Sequence, residues 1–175
     1  MRRPVIWVMG FCAALVCLAV DEGNLRATPA EGFVSTTLSV GRFEAFEVSN
    51  ISLPDRLWGN WRKKVWLSLQ KTKGPSDLYV QSNVWQPGGS TGWHSHPGHS
   101  LITVTAGTLT AYDAHDPSCT PQVYTQGMGF LDPGGDHVHV LRNEGAVEAR
   151  TITVQLIPAD ATRRIDAAGP TGCAF

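Results

Sequence analysis

The sequence predicts an all-β protein, one antiparallel sandwich or barrel preceded by a separate N-terminal segment. Three observations predict it. Short stretches of strand length recur between residues 33 and 158, parted by turns rich in Gly, Pro and Asn. Beyond the first twenty residues no segment sustains a helical period. All six histidines fall in the 46 residues from 94 to 139, so one part of the fold carries the ionisable chemistry.

At 175 residues the chain is long enough for one domain with a core and short for two. Hydrophobic content of 42% with 17% charged residues excludes a disordered chain. A formal charge of −1 gives no reason to expect nucleic acid or an anionic membrane surface as partner. Lys63, Lys64, Lys71 and Lys73 read as a solvated basic edge.

Residues 1–20 are a different material. Arg2 and Arg3 precede an uncharged run from Val5 to Val20, and Asp21-Glu22 ends it. This is the layout of a signal peptide, shorter than a comfortable membrane span, with a buried N-terminal helix or an uncleaved membrane anchor as the alternatives. Cleavage is expected after Ala19, with Ala27 as an alternative. Removal after Ala19 leaves 12 basic and 15 acidic residues, net −3, and takes Cys12 and Cys17 away. The expected location is therefore exported, periplasmic or secreted, with no membrane contact after cleavage. Cys119 and Cys173 then remain in a compartment where disulfides persist. They are expected to pair and tie the tail to the loop around Asp116-Pro117-Ser118, a closure worth a few kcal/mol in the chain-entropy model.

In order, residues 21–32 read as a flexible leader, and Phe33 to Phe46 as one or two strands interrupted at Gly41. Asn50 to Trp61, with Pro54, reads as a crossing loop. Val65, Leu67 and Leu69 alternate with polar or amphipathic neighbours, the pattern of a half-buried strand. Lys73-Gly74-Pro75-Ser76 is a turn, and Asp77 to Trp85 a strand stopped by Pro87-Gly88-Gly89. Further strands are expected at 101–105, 108–112, 122–125 and 137–142. A final strand is expected before Pro158, where Ile152, Val154 and Leu156 alternate with Thr151, Thr153 and Gln155. Residues 159–168 are the one place where a short terminal helix is expected. The organisation is thus a signal peptide over 1–20, a leader with the first strands over 21–60, a barrel over 61–158 and a tail over 159–175.

His94 and His96 sit two apart between Gly-Ser-Thr-Gly and Pro97-Gly98. On a short strand both point to one face, where two imidazoles can share a metal ion. His139, after the Pro133-Gly134-Gly135 turn, is the candidate third ligand.

These segments resemble the two motifs of the cupin superfamily, in particular its small single-domain members. Gly88, His94, His96, position 100 and Gly107 keep the spacing of the first, G-x5-H-x-H-x3-E-x6-G. Gly127, Pro133, Gly135, His139 and Asn143 resemble the second, G-x5-P-x-G-x2-H-x3-N. Position 100, commonly a glutamate ligand, is Ser100 here, and one extra residue separates Gly135 from His139. His137 is an alternative, but only His139 keeps the three-residue spacing to Asn143.

The resemblance implies a jelly-roll β-barrel holding one divalent metal (Fe, Mn, Zn, Cu or Ni) on His94, His96 and His139. His99 and Ser100 are candidate additional ligands, His99 otherwise an exposed rim residue and Ser100 otherwise a filler of the glutamate's space or an orienter of water. Trp93 and Tyr112 are expected in packing or at the pocket, Asn143 at a turn, and His115 in a loop without a role. Three-histidine cupins include oxygenases, so the enzymatic expectation is a metal-dependent dioxygenase-like protein acting on a small molecule. The alternative is a non-catalytic cupin that captures a sugar or metabolite, and a third reading is a metal-stabilised structural protein. No nucleophile–base pair, phosphate loop or paired carboxylate occurs in the motif region, which argues against a hydrolase working through protein groups alone. Edge-to-edge pairing in the family leaves a homodimer open.

Overall fold

The computed structural model describes residues 27–52 and 66–173, and along them strand follows strand with no helix. The strands are β1 (Glu31–Phe43), β2 (Glu47–Ser52), β3 (Trp66–Lys71), β4 (Ser76–Ser90), β5 (His94–Ser95) and β6 (Ser100–Ala106). They continue as β7 (Thr108–Asp113), β8 (Gln122–Thr125), β9 (Gly129–Asp132), β10 (His139–Arg142), β11 (Ala149–Pro158) and β12 (Ile165–Asp166). The signal segment, the first part of the leader, the loop beyond Ser52, Lys63, Lys64 and Val65 lie outside the described residues.

Ten strands form one antiparallel sheet in the order β12-β5-β10-β4-β11-β6-β9, with β1 also on β4 and β7 joining β10 to β8. This sheet is the β-barrel. Its hub is β4, which pairs along its length with β1 on one side and β11 on the other, then with β10 at Ser90. β2 and β3 make a separate two-stranded sheet.

Two apolar clusters flank β10. Leu141 packs inside with Trp85, Leu109 and Ala149, while its neighbour Val140 packs on the other face with Trp93, Tyr112 and Cys173. The period of two puts His139 on the Leu141 face, toward the interior. Cys119 and Cys173 are disulfide-bonded with Cα atoms 5.4 Å apart, closing the second cluster and tying the tail to the loop after β7.

The break after β1 falls at residues 44–46, not at Gly41, because Gly41 pairs with Leu78 inside the ladder. β1 thereby belongs to the barrel sheet, and its neighbour Thr28 is fastened by its Oγ1, which accepts from Trp93 N at 2.7 Å. β4 does not stop at Pro87 but bends and runs on to Ser90, held where Gly88 N donates to Asn143 O and Asn143 N to Gly89 O. Leu67 and Leu69 are exposed, since β3 pairs with β2 alone. β9 was not expected. The segment expected as a terminal helix instead makes turns and β12, which pairs with β5.

The β11 alternation holds over 151–155, where Thr151, Thr153 and Gln155 are buried and Ile152 is exposed, and it breaks at Leu156, which is buried as well. Several of the interior polar groups pair with one another. Asn83 on β4 donates through Nδ2 to Thr151 Oγ1 at 3.2 Å and Thr153 Oγ1 at 3.0 Å.

Candidate metal centre

The site grows from the β5–β10 ladder. His94 pairs directly with His139, so the two side chains share a face. His96 follows two residues on, and the three rings close at centroid separations of 4.8, 4.5 and 5.6 Å. One ring nitrogen from each lies within 4.8 Å of the others.

The extra residue of the second motif is absorbed in the turn before β10, where Gly134 and Gly135 have φ of +71° and +70°. A Cβ on Gly134 would meet Gly98 O at 2.3 Å, so this turn packs against the one after His96. His139 thereby regains its place opposite His94. His137, the alternative, faces Asp113 through Nε2 and Asp132 through Nδ1, both at 3.3 Å, and with Asp132 and His139 forms a second group of ligand atoms within 4.8 Å of one another.

Each imidazole is oriented by a backbone carbonyl. His94 Nδ1 lies 2.8 Å from Gly92 O, His96 Nδ1 2.7 Å from Arg163 O, and His139 Nδ1 3.3 Å from His137 O. A carbonyl only accepts, so the proton is assigned to Nδ1 in each ring and the lone pair to Nε2. Burial pushes all three below the ordinary histidine value, His139 down to about 4. Neighbouring imidazoles and Arg164 push His94 in the same direction, whereas Asp132 partly opposes the shift of His139. Neutral rings, each with Nδ1–H tied to a carbonyl and Nε2 open, are what a divalent transition metal requires of histidine. The donor set therefore fits such an ion.

The rings line a cavity of about 60 Å³ inside the barrel, room for a few waters or one end of a small molecule. Gln81, Asn83, Thr91, Ser100 and Thr153 line it with Asp132, Arg163 and Arg164, and the apolar Phe33, Trp85, Ile102 and Leu141 complete the wall. Arg163 donates to Gln81 Oε1 at 2.9 Å, and Arg164 to Thr91 O at 2.7 Å.

Ser100 is buried at the cavity wall. His99 lines a separate cavity with residues of the β3–β4 turn. Trp93 and Tyr112 pack in the second apolar cluster, Tyr112 also donating to Glu144 at 2.8 Å. Asn143 is fully buried and caps backbone, donating to Trp85 O and Val147 O and accepting from Gly145 N. His115 is exposed beside Asp113. Sequence reasoning missed Asp132, Arg163 and Arg164. The apolar Phe130-Leu131 between Gly127 and Pro133 is the signal that could have revealed β9 and, with it, Asp132.

An antiparallel barrel with a histidine cluster spaced by two Gly-bounded motifs defines the cupin class. Residues 83–155 match the family model described as Cupin domain, and this stretch of the chain is a cupin domain. Among solved structures, an oxalate oxidase is 22% identical, with 47% of this chain and 46% of that chain covered and a TM-score of 0.40. A conserved protein with a double-stranded beta-helix domain from Klebsiella pneumoniae subsp. pneumoniae MGH 78578 is 21% identical over 51% and 74%, TM-score 0.44. The polyketide cyclase RemF from Streptomyces resistomycificus is 19% identical over 49% and 58%, TM-score 0.43. The chain spans about half the length of the oxalate oxidase it matches. No curated protein matches the sequence.

Proposed function

We propose that this is an exported, metal-dependent enzyme of oxygenase type acting on a small anionic molecule. The observation that carries the proposal is the set of three buried imidazoles, each fixed through Nδ1 to a carbonyl and presenting Nε2 to one cavity. His94, His96 and His139 would hold the ion, which supplies Lewis-acid polarisation of an oxygen atom and, for a redox metal, electron transfer. The chain's own groups do the rest. Arg163, beside an Arg164 that is ion-paired with Asp166, puts positive charge on the cavity wall and selects a carboxylate or similar anion. Gln81 and Asn83 offer amide groups, and the small enclosed volume restricts the bound portion to a few heavy atoms. The disulfide fits an oxidising compartment, in keeping with export.

A binding module that captures a small polar metabolite is the second reading. The neutral amide and hydroxyl lining favours it. Metal analysis of the purified protein, followed by dioxygen uptake by the Fe(II)-loaded form with a panel of small carboxylates, separates the two. Uptake dependent on one carboxylate supports the enzyme. Retained ligand binding after chelation, with no uptake, assigns the binding module instead.

A further inference from the structure

The cupin resemblance leaves a gap: the first motif has Ser100 where a glutamate is common. Ser100 pairs directly with Asp132 across the β6–β9 ladder, and residues directly opposite share a face. The carboxylate missing from β6 is thus present on the adjacent strand, at the same level of the barrel. Asp132 is 3% exposed, and it lines the histidine cavity.

The two oxygens of Asp132 have different surroundings. Oδ1 accepts from Gly134 N at 3.0 Å, and lies 3.3 Å from His137 Nδ1 and 3.7 Å from His139 Nδ1. Oδ2 turns inward, 3.9 Å from His96 Nε2, the nitrogen left open by the Arg163 carbonyl. Two donors each ~2.1 Å from one ion can stand up to ~4.2 Å apart. Oδ2 and His96 Nε2 meet that limit, while the ligand atoms of Asp132 group within 4.8 Å with those of His137 and His139.

Ser100 then acquires a role. Gln155 Nε2 donates to Ser100 Oγ at 3.1 Å, and Ser100 Oγ donates to Asp132 Oδ2 at 3.4 Å. The hydroxyl aims the carboxylate, and its small side chain leaves space that a glutamate at position 100 would contest. Three neutral imidazoles alone leave a dication's charge uncompensated inside the barrel, and one carboxylate halves it.

We propose that Asp132 is the fourth protein ligand of the metal, with Ser100 as the residue that positions it. This rests on the reading of His94, His96 and His139 as metal ligands.

The test uses Co(II) as the probe on the full chain, reading affinity by titration and ligand environment from its visible absorption. Asp132→Asn keeps the acceptor for Gly134 N and removes the charge. It should weaken Co(II) by ~100-fold and alter the spectrum, since the loss of an outer partner alone costs ~10–100-fold and leaves the ligand set intact. The exchange Ser100→Glu with Asp132→Ser returns the carboxylate to β6 and should restore affinity toward that of the parent, which also guards against a folding defect in the single variant. Unchanged affinity, or weakened affinity with an unchanged spectrum, in Asp132→Asn while His139→Ala loses Co(II) overturns the fourth ligand and leaves the three-imidazole site standing. Retention of Co(II) by His139→Ala overturns both.

Discussion

His139 stands directly opposite His94 across the β5–β10 ladder, ring centroids 4.5 Å apart, although 45 positions separate them in the chain. Each contributes to the site only because the other strand is in register. The substitutions that test this arrangement follow from it.

His139→Ala removes an imidazole whose Nε2 faces the cavity, whereas His115→Ala removes an exposed ring beside Asp113. Metal content of the purified variants, measured by mass spectrometry, should fall by more than tenfold for His139→Ala and stay at the parental level for His115→Ala. Equal losses would remove the basis for the ligand set.

The buried rings also set a pH dependence. His139 titrates from 6.5 when unfolded to about 4 when folded, so the unfolded chain binds more protons between those values. Stability of the metal-free protein should therefore fall as pH drops from 6.5 and level off below about 4, by on the order of 3 kcal/mol from this residue. Denaturant titrations at pH 7, 5.5 and 4 measure the slope, and His139→Gln should flatten it.

Asn143 satisfies three backbone groups from a fully buried position. Asn143→Ala leaves those groups without partners and should cost roughly 2–4 kcal/mol. Thermal unfolding checks this, with Arg150→Ala, at an exposed position, as the near-neutral comparison.

Reduction of the Cys119–Cys173 bond frees a tail closed over 54 positions. It should cost roughly 2–5 kcal/mol. The sulfur atoms lie with Trp93 and Val140, on the face of β10 away from the histidines, so metal affinity in mild reductant should remain within about twofold.

Arg163→Gln should weaken binding of a small carboxylate about tenfold or more, the loss of one charge-assisted hydrogen bond, while metal content stays unchanged because the Arg163 carbonyl still anchors His96. Calorimetric titration of the metal-loaded protein reads the first effect and metal analysis the second.

Much of this site was legible in residues 88 to 143. A His-x-His pair bounded by turns carries its own geometry, because a period of two needs no knowledge of neighbouring strands. His139 was legible through its spacing to Asn143, whose capping bonds hold the turn after β10. What sequence could not show is which side of a strand becomes the inside. Ile152 and Val154 look like core residues, yet Thr151, Thr153 and Gln155 take that place. Alternation defines two faces and does not label them, and a barrel that encloses a polar cavity reverses the usual assignment. Asp132 was hidden for a related reason. Its opposition to Ser100 is a fact of register between β6 and β9, 32 positions apart.

The carbonyls that steer the three rings belong to Gly92, His137 and Arg163, so separate stretches of backbone meet at the candidate metal site. The last of them lies beyond β11, in a segment easily mistaken for a dispensable tail. Trimming the chain after Pro158 would therefore untether His96 from a distance of more than sixty residues. Conversely, filling the site should slow amide exchange at the chain's far end together with that around residues 92 and 137.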